Sequence, residues 1–263
     1  MSDPAEVLRL GGVWRAFDRG RDRVSVLEDV SLTVAAGEIV AVVGTRDQGK
    51  TTLIRVASGM LPADRGSVQI AGVELAGLKD RELSWLLAHE IGVAARSGPE
   101  VRVSVREYVE LSLVACQRRR WRWWWRGEWR GRERRLRVTA VLDELGLADC
   151  AESKWDELSN WQRVLVEIAQ AIVVRPKLLL IDDVMDGFGL GKKEAVMDIL
   201  GGFARDTGCG VLMAVSDHAS ALLAERVWQL RRGKLKLMAD HTHTEETPAP
   251  VVPIHTHRRQ RSG

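Results

Sequence analysis

Nine consecutive residues carry the densest chemistry in the chain. Gly44 to Thr52, GTRDQGKTT, match the spacing GxxxxGK[ST] at Gly44, Gly49, Lys50 and Thr51. The match directly follows the apolar run Ile39-Val40-Ala41-Val42-Val43 and directly precedes a helical pattern. A strand that delivers such a loop can turn backbone N–H groups inward around phosphate oxygens, and glycine adopts the conformations this needs without a Cβ in the way. Lys50 then places a point charge near the outer phosphates, and Thr51 offers a hydroxyl to Mg²⁺. The start of the following helix supplies further positive potential. A purely structural Gly-rich turn is the alternative, and the strand before and helix after it favour phosphate binding.

A second cluster supports the first. Leu178-Leu179-Leu180-Ile181-Asp182-Asp183 reads as an apolar strand ending in two acids. Asp182 would hold Mg²⁺ directly or through water, and Asp183 would face the last phosphate of a bound nucleotide. Just upstream, Glu157-Leu158-Ser159-Asn160-Trp161-Gln162-Arg163 opens a helix, and Arg175-Pro176-Lys177 leads into the strand.

The elements that must position these residues follow from periodicity. Val7 to Val34 reads as two strands around the polar turn DRGRDR, and Ala35-Ala36-Gly37-Glu38 as a tight turn into the strand before the loop. Helices are expected from Lys50 to about Ser58, Arg81 to His89, Val105 to Leu113, Val138 to Leu145, about Trp161 to Val174, and near Lys192 to Ala204. Strands are expected at Ser67 to Val73, Ile91 to Ala94, Leu178 to Asp182 and Gly210 to Val215. A final pair, Val227 to Arg231 and Leu235 to Met238, flanks Arg232-Gly233. Alternating strands and helices predict an α/β fold: a mainly parallel sheet with helices on both faces, an antiparallel β subdomain and a helical subdomain at about 97–160. The domain is expected over 1–238, with 239–263 as a disordered tail. The tail holds three prolines and too little apolar area to offset chain entropy. Its two His-Thr-His triplets would hold a metal weakly, for want of fixed geometry.

Composition narrows the classes. With 263 residues, 45% of them hydrophobic, the chain can bury one sizeable core or a core plus a subdomain. Cys116, Cys150 and Cys209 are widely spaced and form no ligand pattern, which argues against a disulfide framework or structural zinc and fits a reducing cytoplasm. MSDPAEVLRL lacks the build of a signal peptide, and no apolar run is long enough to span a bilayer, so a membrane role is expected to be peripheral. The net charge of +3 hides an asymmetry: 118–135 holds nine Arg and two Glu, so the remainder is net acidic.

The order of these motifs, with LEDVSLTVAAGEIVAVVG upstream and ERVWQLRRGKL downstream, resembles the ATP-binding subunits of ABC transporters, in the lipoprotein-releasing, macrolide-export and cell-division branch. The resemblance covers about Val7 to Met238. It implies ATP and Mg²⁺ as ligands, a head-to-tail pairing with a second nucleotide-binding domain, and a transmembrane permease subunit as partner. Gly44, Thr45, Arg46, Asp47, Gln48, Gly49, Lys50, Thr51 and Thr52 would be the Walker A nucleotide site. Asp182 would be the Walker B metal acid, with Thr51 as its companion. Phe17 would stack on adenine, with Trp14 as second choice and an ordinary core aromatic as the alternative. Ser159 and Gln162 would be the surviving members of the signature motif.

Other positions depart from the pattern in one direction. By gapless reading, the Gln that senses Mg²⁺ falls on Arg96, whose charge the metal would repel. The catalytic Glu is Asp183, whose carboxylate is set back by roughly an ångström where general-base geometry tolerates little of that. The two signature glycines are Asn160 and Trp161, which hinder close approach to a partner's nucleotide. Gly189 stands where an Asp is usual, and the switch His falls on Asp217, with His218 one place late. Together these predict retained binding and reduced hydrolysis. A register slip of one near Arg96 or His218 would restore one element.

Gln117 to Arg135, QRRRWRWWWRGEWRGRERR, is more extreme than the resemblance explains. As a helix it would align Trp121, Trp125 and Trp129, with Trp124 beside them, next to a stripe of Arg118, Arg122, Arg126 and Arg130. An anionic membrane surface suits it best, since indoles favour the interface and clustered Arg favours acidic headgroups. A groove of the membrane subunit comes second. Nucleic acid comes last, because the basicity is confined to one insert. A solvated loop whose indoles pack on its own helices is the plain alternative.

Overall fold

The computed structural model describes residues 5–20, 22–99, 102–117 and 131–241. The chain opens with two 14-residue strands, β1 (Glu6–Arg19) and β2 (Asp22–Ala35), paired antiparallel with irregular register around Leu10, Val13 and Arg15. There follow β3 (Ile39–Val43), α1 (Lys50–Ala57), β4 (Arg65–Ile70), β5 (Val73–Glu74), α2 (Asp80–His89) and β6 (Ile91–Ala95). Next come α3 (Val105–Gln117), α4 (Gly131–Glu144), 3-10 turns at Ala148–Cys150 and Trp155–Glu157, and α5 (Asn160–Ile172). The rest is β7 (Leu178–Asp182), α6 (Leu190–Thr207), β8 (Gly210–Val215), the single-turn α7 (His218–Ala221), β9 (Arg226–Arg231) and β10 (Lys234–Asp240).

Two sheets result. β2-β1-β4-β5 is antiparallel throughout. The other, in order β10-β9-β3-β8-β7-β6, is parallel except for β10 at its edge. Every residue of β3 and β8 is buried, as expected of apolar runs covered on both faces. The period of two divides β3 between two cores. Ile39, Ala41 and Val43 join a cluster with α3 to α6, while Val40 and Val42 join one with α1 and the antiparallel sheet. The loop after β3 therefore emerges between the two cores, on a strand that cannot shift without unpacking both.

The helical segment between β6 and β7 rests on α5. Val109, Leu113, Val138, Val141 and Leu142 pack into the cluster that holds Val164, Ile168 and Ile172. Arg137 of α4 donates to the carbonyls of Val173 (3.1 Å) and Ile172 (3.4 Å), which fastens α4 to the end of α5. Burial holds the Arg137 pKa below the usual range, with Arg175 adding to it.

Several boundaries differ from the sequence reading: the strand expected at Ser67 to Val73 is β4 and β5 parted by a turn at Ala71-Gly72, α3 runs on to Gln117, and α6 spans Leu190–Thr207. α4 begins at Gly131, so the last five residues of the insert are already helical. β10 runs through Asp240, two residues past Met238, because Ala239 and Asp240 find partners in Val227 and Arg226 that composition does not reveal. The tryptophans and arginines of 118–130 and the His-Thr-His segments beyond His241 lie outside the described residues. Among the described residues no helix is long and apolar enough to cross a membrane, and no cluster of three or more His, Cys, Asp or Glu could hold a metal ion.

Candidate nucleotide site

The loop Gly44–Thr52 is held from three sides. The Gly44 N–H donates to the Val215 carbonyl of β8 (3.2 Å), and a Cβ at Gly44 would lie 2.8 Å from the Leu230 carbonyl of β9. Gly49 precedes α1 with φ +97°, and a Cβ there would sit 2.7 Å from a methyl of Val26 and 3.0 Å from its carbonyl, because β2 passes directly over the loop. Gly49 thus needs to be glycine both for its conformation and for the space. The Gln48 side-chain oxygen accepts from the N–H of Arg232 (2.9 Å), tying the loop to the β9–β10 turn.

Inside the loop lies Lys50, only 7% exposed. Its Nζ donates to the carbonyls of Gly44 (2.7 Å) and Thr45 (3.2 Å), so the backbone is wrapped around the ammonium. Thr45, Arg46, Asp47 and Thr51 are exposed on the rim, and Thr52 is half-buried. Thr51 Oγ1 donates to Asp182 Oδ1 across 3.1 Å. Burial pushes the Asp182 pKa up from its ordinary value and Asp183 adds to this, while Thr51, Lys50 and Arg55 hold it back. A hydroxyl and a half-buried carboxylate at this separation are hard oxygen donors of the kind Mg²⁺ prefers.

Asp183 has φ +53°; its N–H donates to the Ala214 carbonyl (3.0 Å) and its carboxylate accepts from the Ser216 hydroxyl. It is therefore anchored to the end of β8, beside Asp182. Arg96, just past β6, donates to the carbonyl of Asp186 (3.0 Å), whose carboxylate pairs with Arg46 of the loop Gly44–Thr52 (3.4 Å). The structure so brings Arg46, Arg96 and the 184–189 segment together, with Gly189 exposed at its end.

Asp217 is engaged by α6 and α7. Its carboxylate pairs with Lys193 of α6 (2.8 Å) and caps α7 by accepting from the Ser220 N–H (2.9 Å) and hydroxyl (2.8 Å). Burial works against its ionisation, but Lys193 and Ser220 prevail and hold its pKa down to about 2. The anion that falls at the switch-His position is thus compensated within its own chain. His218, one residue on, lines an open cavity of about 530 Å³ together with Gly44, Thr45, Gln48 and Ser216.

Ser159 and Gln162 stand apart, at the start of α5. The Ser159 hydroxyl accepts from the Gln162 N–H (3.2 Å) and the Gln162 side-chain oxygen accepts from the Ser159 N–H (2.9 Å), a reciprocal capping box. Among the described residues neither bonds to Gly44–Thr52. Asn160 opens the helix. Trp161 folds back onto its own chain, edge-to-face against Phe188 at 5.8 Å, with the Lys192 ammonium over both rings.

Phe17 lies on β1 opposite Val24, 38% exposed, with the Arg15 guanidinium over its ring at 4.9 Å; Trp14, equally exposed, faces Arg65 on the other side of β1. Sequence reasoning missed Arg15, Lys193 and the buried Glu167 of α5. Glu167 accepts from the Gly98 N–H (2.7 Å) two residues after Arg96 and from the Tyr108 hydroxyl (3.4 Å). These partners come from distant parts of the chain, and no local pattern announces them.

Comparison with known proteins places this geometry. Residues 27–186 match the ABC transporter family. The lipoprotein-releasing system ATP-binding protein LolD of Chromohalobacter salexigens is 30% identical over 230 residues, covering 87% of this chain and 92% of that protein. The macrolide export ATP-binding/permease protein MacB of Neisseria gonorrhoeae is 30% identical over 239 residues, covering 90% of this chain but 35% of its own length. The chain thus spans about a third of the MacB relatives it matches. Among solved structures, the dimeric ABC transporter cassette MJ0796 superposes with a TM-score of 0.79 at 25% identity, over 89% of this chain and 98% of that one. The same protein in a post-hydrolysis state with ADP and Pi superposes equally well.

Proposed function

The chain belongs to the ABC transporter family of ATP-binding proteins, and we propose that it binds Mg·ATP as the ATP-binding subunit of a transport complex, hydrolysing it slowly in support of a membrane permease subunit. The observation that carries this reading is the contact of Thr51 with Asp182, 3.1 Å apart, beside a Lys50 held inside its loop. Gly44, Thr45, Arg46, Asp47, Gln48, Gly49, Lys50, Thr51 and Thr52 bind the phosphates through backbone N–H groups and the lysine. Thr51 and Asp182 hold Mg²⁺, which when bound neutralises charge on the outer phosphates. Phe17 stacks on the adenine.

Slow hydrolysis follows from what surrounds that core. Asp183 is one methylene short of a Glu, and its carboxylate is occupied by Ser216. Arg96 brings a cation where a neutral Gln is usual, and it is tethered to the 184–189 segment. The position of His218 on the cavity supports it as the residue that faces the last phosphate, with Asp217 acting through the α7 cap. That reading removes one of the five departures and leaves Asp183, Arg96, the signature and Gly189.

A second reading, favoured by Trp161 at the opening of α5, is a pseudo-ATPase in which ATP only drives pairing with a second nucleotide-binding domain. MJ0796 is solved as a dimer, which supports such pairing here, as homodimer or heterodimer. The expected location is peripheral, on the cytoplasmic face of the membrane, beside a permease. Trp121, Trp124, Trp125, Trp129 and the neighbouring arginines would touch an anionic bilayer. The test is purification of the tagged chain from detergent-solubilised membranes with Mg·ATP. A co-purifying multi-span protein, lost with Lys50→Ala, supports the transport reading; recovery with nucleic acid and no membrane protein contradicts it.

A further inference from the structure

The arm that carries Phe17 has a fastening that the nucleotide reading does not use. Pairing of β4 with β1 ends at Trp14 opposite Arg65, so beyond that rung β1 has only β2 beside it. A two-stranded arm is marginal by itself. Here it is clamped by Asp64, in the loop after α1. The Asp64 N–H donates to the Trp14 carbonyl (2.8 Å), and its carboxylate accepts from the Ala16 N–H (2.8 Å), from Arg15 (3.0 Å) and from Arg23 of β2 (3.1 Å). Arg15 also donates to the Pro62 carbonyl (3.1 Å), and its side chain is 19% exposed where that of Arg23 is 66% exposed. So held, the Arg15 guanidinium covers one face of the Phe17 ring.

The placement bears on the nucleotide. Arg15 pairs with Leu27, which lies against the space next to Gly49, and Phe17 stands two residues further along β1. The same α1 that starts at Lys50 runs about 12 Å toward the loop holding Asp64. One helix thus links the phosphate end of the site to the clamp at its base end.

We propose that Arg15, set by Asp64, is a positioning residue for the nucleobase: it fixes the Phe17 ring from one side and leaves the other face for a purine. This rests on the reading of Phe17 as the base-stacking residue. A cation on one face draws electron density from the ring and favours an electron-rich base on the other.

The experiment compares equilibrium binding of Mg·ATP with that of magnesium tripolyphosphate, which shares the phosphates but has no base, to the full chain. Arg15→Met weakens ATP about three- to tenfold, leaves tripolyphosphate unchanged, and is largely rescued by Arg15→Lys. Should Arg15→Met melt below the assay temperature, Arg15→Gln keeps a donor for Asp64 without the cation and gives the same selective loss. Equal weakening of both ligands, or of neither, overturns the proposal while a selective loss in Phe17→Ala upholds base stacking. If Phe17→Ala leaves the ratio of the two affinities unchanged, the stacking reading falls and the proposal with it.

Discussion

Thr51 and Asp182, 131 residues apart in the chain, meet at 3.1 Å where the helix after β3 starts and the strand β7 ends. The sheet order places β8 between β3 and β7, so the contact depends on three correctly ordered strands. In the proposed function it is the junction at which Mg²⁺ would join the loop Gly44–Thr52 to the acidic end of β7. Asp182→Asn removes the charge but keeps the shape. It is expected to weaken ATP binding about tenfold with magnesium present, as loss of a charge-assisted contact, and hardly at all in EDTA. Titration calorimetry under both conditions measures this.

The Asp217–Lys193 pair is expected to matter for stability. Asp217→Ala uncaps α7 and leaves Lys193 without its carboxylate, for a loss of about 1 kcal/mol. The folded pKa lies below the ordinary 3.8, at about 2, so the stabilisation is fully present above pH 3.8 and is lost as pH falls toward 2. Urea unfolding of both proteins between pH 6 and pH 2.5 is expected to show the gap closing only at the acid end. His218→Ala, by contrast, leaves stability unchanged and lowers turnover.

Glu167 has the opposite sign. Burial pushes its pKa up to about 7 from 4.5, against the pull of the Gly98 N–H and Tyr108 hydroxyl. The folded chain therefore binds a proton that the unfolded chain releases, and stability falls as pH rises from about 4.5 to 7, by at most about 1.4 kcal/mol per pH unit. Glu167→Gln removes that slope. Unfolding free energies across the window give the check, and parallel curves for the two proteins would contradict the account.

Trp161 couples the start of α5 to Phe188. Replacing Asn160 and Trp161 together by glycine loses an aromatic contact of about 1 kcal/mol and lowers the melting temperature. It also opens the helix start to a partner. Sedimentation with Mg·ATP is expected to show more dimer in the double variant than in the native chain; no gain would mean that the indole does not limit pairing.

Much of this was legible in the sequence because it is local. The apolar runs of β3, β7 and β8 and the glycines at 44 and 49 declare a strand, a loop and a helix start within a dozen residues. The capping box of Ser159 and Gln162 is equally local. What escaped depends on contacts across the fold. Asp217 reads as a stray anion until Lys193 is brought beside it, Glu167 falls on the buried face of a helix, and Asp64 lies 49 residues from the Arg15 it holds. The end of β10 escaped for the same reason: Asp240 is polar, and only its pairing with Arg226 makes it part of a strand.

The central claim is that the chain keeps its nucleotide site and has lost speed at Asp183. It is tested most directly by measuring ATP bound and ATP hydrolysed in one sample of the chain, native and with Asp183→Ala and Asp183→Glu. The account predicts saturable Mg·ATP binding in all three. It also predicts native turnover below about 1 per second, the lower end of the usual enzyme range, little further loss in Asp183→Ala and a gain in Asp183→Glu. Native turnover well within that range that collapses in Asp183→Ala would contradict it.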